Sequence, residues 1–504
     1  MEHFFIGIDI GTGETRGVLI DKTCRVVASE AIRHNVSNPQ PGWFEMDPES
    51  EWWPEFCQVS RALIAEAGIS AEQISCVGLS CMGCDCIPVD ADGTALSKAI
   101  LYGIDSRATR EMAELGEMLG ADAEHIMGHA ICTSDIAPKI MWFKNNLPEV
   151  WEAADKFLTG SSYLCAKLTG NFTIDVYLAE EFMPCYDPIS WEASEVSCRN
   201  ICRPNQMARV MHATDIAGTI TARASKETGL AEGTPVLVGT GDSGAEAISS
   251  GVFQPGDIMV QLGSTVFFVC MTEKLINDSR LWPGTFIIPG TYSLCAGTNT
   301  AGALTKWLRD VAYKDAKASE EAGVGNAFAV MAQEASTISP GSDGLLCLPY
   351  FAGERTPIND PEARGVFFGL TTNHTRAHLS RAVIEGISST IAQHFDILSE
   401  NNVKLKKVMC TGGGTKNEAW LQCVADMIER PVAIPEVTIG SAYGDALMAA
   451  LGGGAFSSWA ELDQAVKPAR VYYPNPKNYS TYRSLRNRFQ RLYEATKEIM
   501  HERD

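Results

Sequence analysis

Near the N-terminus, "HFFIGIDI" is an apolar run interrupted only by glycine and Asp9, "GTGET" is small and polar, and "RGVLID" is apolar again. That pattern predicts a strand, a tight hairpin and a returning strand, with "CRVVASEAI" as the third member of a meander. The pattern recurs at the start of the second half, where "GDIMVQL", "GST" and "VFFVCM" read as strand, turn and strand. Two such hairpins predict duplicated α/β domains that face one another, over residues 1–247 and 248–504. A third element, "VMCTGGGTKNEAWLQCVADMI", reads as a strand, a glycine turn and an amphipathic helix starting near Asn417. The segment "VLVGTGDSGAEAISSG" reads as an apolar strand ending in a glycine turn that carries Asp242, followed by a small-residue helix. Residues 271–293 and 311–343 have the polar, Pro/Gly character of surface insertions, and 473–503 reads as a proline-started terminal helix.

The 504 residues leave room for two to four domains, and 45% hydrophobic with 20% charged residues is a globular composition. No apolar run is long enough to span a bilayer, and the first residues lack the basic region and cleavage site of a signal peptide. A cytoplasmic protein is expected, with no membrane partner. A formal charge of −21, without a local cluster of Lys and Arg, excludes nucleic acid as an expected partner. The 16 cysteines then read as reduced thiols. In "SCMGCDC", Cys81, Cys84 and Cys86 supply three ligands where zinc wants four, and the next histidine, His125, is far along the chain. The stretch is expected to shape a pocket.

An acid at a strand end can act as general base or merely cap the following helix, and Asp242 carries both readings. Asp9, before a Gly/Thr turn, is either a local turn acceptor or a partner of Mg²⁺. Glycines between a strand and a helix N-terminus let backbone N–H groups approach a phosphate or a nucleotide's sugar. The "TGGGTKN" turn is neither a Walker A loop nor G-x-G-x-x-G. Together, two hairpins, one nucleotide-type turn and two strand-end acids make up the parts of a phosphoryl-transfer site. Thr12, Thr15, Arg16, Ser264 and Thr265 would be the phosphate donors, Asp9 would hold the ion through water, and Asp242 would be the base.

The segment "GVFFGLTTNHTRAHLSRAVIE", residues 365–385, carries Gly365, Gly369, His378, Ala382 and Glu385 in the spacing of a known signature. With "LPYFAGERTPINDPEARG", "PGWFEMDPESEWW", "PKIMWFKNN" and "GDSGAEA", it makes the chain resemble the FGGY carbohydrate kinases, nearest their xylulokinase-like branch. The resemblance runs from about residue 4 to the terminal helix. It implies an actin-like, ribonuclease H-type fold, two α/β domains with ATP and sugar in the cleft between them. It also implies that Asp242 is the catalytic aspartate and shares Mg²⁺ with Asp9, largely through water. Gly11 and Gly263 belong to its two phosphate hairpins. Gly413, Gly414 and Asn417 belong to its adenosine loop, and the helix starting near Ala301 and Gly302 lies near the terminal phosphate.

On the substrate side, Gly83 and Cys84 stand where xylulose kinases carry Met-His, leaving a smaller, softer wall with Asp85 as the compensating acceptor. Tyr102 replaces a tryptophan, and Asp105 with Arg107 is either a sugar contact or a structural ion pair. Ile136 stands where the family prefers a small or hydroxyl residue, and Ser134 where glycerol kinases place a tyrosine. Trp142, Trp420, Cys410 and Cys423 are expected in the core, and His378 at a helix start. The implied activity is ATP- and Mg²⁺-dependent phosphorylation of a ketopentose. Ribulose, a pentitol or tetritol, or an aldonate are alternatives, and the rival is a nucleotide-switched, non-enzymatic member of the same fold. The oligomeric state stays open, a homodimer included.

Overall fold

The computed structural model describes residues 3–502. In its first sheet, β1 (Phe4–Ile10), β2 (Glu14–Asp21) and β3 (Val26–Arg33) form the expected antiparallel meander. The sheet continues from β1 to the parallel strand Ile74–Cys81, then to Pro235–Leu237 and an antiparallel edge, Ile216–Thr219. The second sheet repeats this plan. Ile258–Leu262 pairs antiparallel with Val266–Thr272, which pairs with Tyr292–Gly297, and on its other side it runs parallel to Val408–Thr411. Val432–Pro435 follows in parallel, and Pro468–Tyr472 closes the edge antiparallel. The two-domain α/β architecture implied by the repeated hairpins is the architecture of the protein.

What joins the halves is a helix from the second, Ser441–Gly452, pressed against the first sheet. Glycine makes the approach possible: a Cβ on Gly7 would lie 2.2 Å from Ala442 O, and one on Gly78 would lie 2.1 Å from Asp445 O. On its other side, a Cβ on Gly444 would lie 1.9 Å from Ala245 O in the helix Asp242–Ser249. Any side chain at these three positions would force the elements apart. An apolar cluster including Phe5, Val18, Ile248, Met259, Val269 and Leu447 therefore runs continuously across the two halves.

Two segments expected as surface insertions are built into the fold. Within 271–293, Trp282–Thr285 forms the outer strand of the second sheet, and Phe286, Ile287 and Ile288 are buried. Within 311–343, the helices Lys314–Glu321 and Ala327–Ser336 pack through Met331 and through Ala316, Ala327 and Ala335, whose small side chains leave little apolar signature. The terminal helix, Tyr479–His501, follows a short turn begun by Pro476. His378 is the third residue of the helix Arg376–Glu400, where its Nδ1 accepts from Thr375 N at 3.1 Å and serves the helix start. Among the described residues, no helix is long and apolar enough to cross a membrane.

Candidate active site

A cavity of about 320 Å³ lies between the halves, lined by Asp9, Thr12, Arg16 and Glu246 from one and by Thr411 and Gly412 from the other. In the first hairpin Gly11 N donates to Glu14 O at 3.0 Å, which leaves Thr12 and Gly13 exposed at the tip. Gly263 N does the same to Thr265 O at 2.9 Å, leaving Ser264 exposed. The helix Gly302–Ala312 starts directly behind this second tip, because Gly302 N donates to Gly263 O at 3.0 Å and Ala301 N to Ser264 O at 2.9 Å. Arg16 pairs with Glu14 and keeps a buried Nε without a partner. At the glycine turn, Gly412 adopts a φ of +82°, Gly413 is exposed and Gly414 is half-buried.

Two expected donors are otherwise engaged. Thr15 is fully buried and donates to Glu55 Oε2 at 2.5 Å, because alternation along β2 turns it away from the face that carries Glu14 and Arg16. Asn417 Oδ1 accepts from Trp420 N at 3.1 Å and caps the helix Glu418–Ile428, so its side chain is held by the protein.

The acids converge at the floor of the cleft. Asp242 is the first residue of its helix, after the cap Gly241, and its Oδ1 accepts from Ser243 N at 2.7 Å. Burial raises its pKa to about 6, opposed by the Ser243 N–H and reinforced by Glu246. Asp9 is raised to about 8 by burial and the charge of Asp242. Glu246 lies one helical turn past Asp242 and is raised by burial, against hydrogen bonds from Thr411 Oγ1 and Gln261 Nε2, each at 2.7 Å. Asp445 is also raised, by burial and the neighbouring Asp9, and its Oδ1 has no partner. Ser80 Oγ stands between the last two, 2.8 Å from Asp9 Oδ1 and 2.6 Å from Asp445 Oδ2. Such a cluster is costly unless a cation or protons neutralise it.

In the segments expected to face the sugar, Tyr102 Oη lies 3.0 Å from Thr12 Oγ1, joining them to the first hairpin. Gly83 and Cys84 form the turn at the end of the strand Ile74–Cys81, with Cys84 at a φ of +66° and its carbonyl accepting from Lys139 Nζ at 2.6 Å. Asp85 does not present an acceptor. It is fully buried, accepting from Tyr102 N at 3.1 Å and from Cys81 Sγ, because the turn directs it inward. Asp105 is likewise spent: Arg107 chelates it, Phe44 N donates to it at 2.6 Å, and the guanidinium lies over Trp43 and beside Trp142. The pair is structural.

The residues not foreseen are Glu246, Asp445, Ser80 and the acids beside Cys84. Glu180 and Glu181 are each raised to about 7, chiefly by burial, and Asp135 is raised in the same way. His129 Nε2 lies 3.5 Å from Asp135. The wall is rich in carboxyls, and Lys139 is occupied by the Cys84 carbonyl.

Residues 4–249 match the N-terminal domain of the FGGY family of carbohydrate kinases, and residues 258–453 match its C-terminal domain. A xylulose kinase from Lactococcus lactis is 28% identical over 99% of this chain and 98% of its own. A gluconokinase from Bacillus subtilis is 25% identical over 96% of this chain and 94% of its own. The crystal structure of a xylulose kinase from Rhodospirillum rubrum superposes with a TM-score of 0.90, at 28% identity, covering 99% of this chain and all of that one.

Proposed function

The chain belongs to the FGGY family of carbohydrate kinases, which use ATP, and from that premise we propose that it phosphorylates a hydroxyl of a neutral ketopentose of the xylulose type. The observation that carries this reading is Asp242, held at a helix start beside Asp9 and one turn before Glu246, both of which line the cleft next to the first hairpin. In the proposal, residues 1–247 form the sugar-binding domain and 248–504 the nucleotide domain of a cytoplasmic enzyme.

Asp242 orients the sugar hydroxyl and accepts its proton as the oxygen attacks the γ-phosphorus in line. Gly11 and Gly263 close the two hairpins through their own N–H groups, so that the exposed tips, Thr12–Gly13 and Ser264, turn their backbone N–H groups, the hydroxyls of Thr12, Ser264 and Thr265, and Arg16 to the phosphoryl oxygens. Gly413 and Gly414 let the backbone approach the adenosine. Asn417 contributes by fixing the helix behind that turn, and Gly302 by bringing a helix N-terminus up to the second hairpin. The carboxyls of Asp9, Asp242, Glu246 and Asp445, one with an unpartnered buried oxygen, fit a hard divalent cation such as Mg²⁺. Asp9 and Asp242 would hold it, largely through water, and when bound it supplies positive charge for the phosphate oxygens. Closure of the cleft excludes water and limits futile hydrolysis of ATP.

The acid-rich wall around Gly83, Cys84 and Tyr102 favours a neutral polyol over an aldonate, whose carboxylate would meet Glu181 and Asp135, with the neighbouring cations Lys139 and His129 already bonded to the Cys84 carbonyl and paired with Asp135. ADP release should be measured with D- and L-xylulose, D- and L-ribulose, pentitols, tetritols, glycerol and gluconate, against sugar-free ATPase as blank. At least one ketopentose is expected well above the blank, with glycerol and gluconate near it. Preference for gluconate would overturn the substrate reading. Absence of activity on every polyhydroxy compound would overturn the proposed reaction.

A further inference from the structure

We propose that Cys185, Cys198 and Cys202 form a tetrahedral binding site for one zinc ion, separate from the cleft, with the fourth position open on the Cys202 side. Their three sulfurs lie within 4.8 Å of one another, and those of Cys185 and Cys202 are 3.8 Å apart. A tetrahedral zinc with Zn–S bonds of about 2.3 Å sets neighbouring sulfurs about 3.8 Å apart, so the thiols already stand near ligand spacing.

The backbone brings them together from two directions. Cys185 follows the short turn Glu180–Phe182, with its N–H donating to Phe182 O at 2.8 Å. Cys198 and Cys202 are one helical turn apart, since Cys202 N donates to Cys198 O at 3.1 Å. The bridge between Tyr186 and Ala193 and the bond from Ser197 Oγ to Cys185 O, at 2.9 Å, fold the segment back so that the turn faces Cys185. Cys185 and Cys198 are buried, and Cys202 is half-buried, which gives the ion one route in and one position for water.

Binding displaces the three thiol protons, leaving three thiolates around a divalent ion and a net charge of −1. The ammonium of Lys144, which donates to Asn200 O at 2.8 Å between Cys198 and Cys202, offsets that charge. The surrounding segment has reason to need a staple. Between Phe182 and Pro204 it contains no helix or strand; Met183, Tyr186 and Ile201 anchor its two ends in the core, but the stretch between them leaves Ile189 and Val196 89% and 85% exposed. The segment leaves directly from Glu180 and Glu181, and the ion would therefore brace the substrate wall from behind.

The test uses full-length protein without a polyhistidine tag, purified under reducing conditions, loaded with zinc and dialysed. Elemental analysis should find one equivalent per chain. Cobalt(II) in its place should give thiolate-to-metal charge-transfer absorption in the near ultraviolet. The Cys198→Ser/Cys202→Ser double variant should lose both signals, while Cys57→Ser keeps them. Zinc at about 100 times its Kd should raise Tm by roughly 2–3 °C over chelator-treated protein. Zinc well below one equivalent in the parent, or the same content in the double variant, would overturn the proposal. A disulfide among the three in protein kept reduced would overturn it too.

Discussion

Thr411 Oγ1 donates to Glu246 Oε1 at 2.7 Å, so the strand that runs into the glycine turn of one half is bonded to the helix that carries Asp242 in the other. A hydrogen bond to a charged group contributes about 1.5–3 kcal/mol, and about 1.4 kcal/mol is tenfold in rate. Thr411→Val should therefore lower kcat/KM for ATP by roughly tenfold or more, whereas Thr411→Ser, which keeps the hydroxyl, should stay within about twofold of the parent. Steady-state kinetics on the two variants decide it. Equal behaviour would mean that this bond does not couple nucleotide to base.

Asp242→Asn is nearly isosteric and keeps the acceptor for Ser243 N, so the helix start should survive. Turnover should fall by roughly 10²-fold or more, the range expected when a general base is lost. Binding of a fluorescent ATP analogue should remain. Phosphorylation within a few-fold of the parent would reduce Asp242 to a structural residue.

The substitution Asp105→Asn separates the structural pair from a substrate contact. The two side chains are 1% and 4% exposed, and removing the charge of one leaves the other buried. A broken buried pair costs about 3–5 kcal/mol, here near the lower figure because Glu45 also accepts from Arg107. Tm should drop by about 3 °C with KM for the sugar little changed. A selective rise in that KM without loss of stability would return Asp105 to the pocket.

The hairpins, the glycine turn and the Asp242 helix were legible because each is set by neighbours a few residues away. The limits of that legibility are equally physical. Thr15 and Arg16 are adjacent on a strand and cannot both face the cleft, a period-two constraint visible in the sequence. Glu246 is one turn from Asp242, also visible. Asp105 and Asp445 are different, because their partners Phe44, Ser80 and Asp9 come from distant parts of the chain. Only the fold could show that one acid is consumed by an ion pair and that the other belongs to the floor of the cleft.

His394 is a buried neutral imidazole. Its Nδ1 donates to Thr390 O at 2.8 Å, its Nε2 lies 2.9 Å from Thr356 Oγ1, and the ring stacks on Phe268. Burial lowers its pKa from 6.5 to about 4. Between those values the unfolded chain binds the proton and the folded chain does not, so stability falls as pH drops from 6.5 towards 4, by about 3 kcal/mol in all. Denaturant titrations from pH 7.5 to 5 should show a shallower acid slope in His394→Gln than in the parent. Parallel slopes would assign the loss to other groups.

Asp445 should act in the opposite sense. One hydroxyl proton cannot serve two carboxylates, yet Ser80 Oγ is within bonding distance of both Asp9 and Asp445. One of the acids therefore carries a proton in the metal-free protein. Asp445 is fully buried with its Oδ1 unpartnered, whereas Asp9 lines the cleft, which makes Asp445 the donor to Ser80, with Ser80 donating onward to Asp9. A carboxyl whose pKa is raised on folding keeps its proton where the unfolded chain has lost it, so it costs stability progressively as pH rises above the unfolded value of 3.8. An asparagine supplies an N–H donor in place of the acid's O–H, without that cost. In chelator-treated protein, Asp445→Asn should be at least as stable as the parent at pH 6, with an advantage that grows towards pH 8. Asp445→Ala removes the donor and leaves a cavity, and should be less stable than Asp445→Asn at every pH. Tm measured across that range for the three proteins distinguishes the cases, and an Asp445→Asn variant as damaged as Asp445→Ala would mean that the carboxyl works ionised.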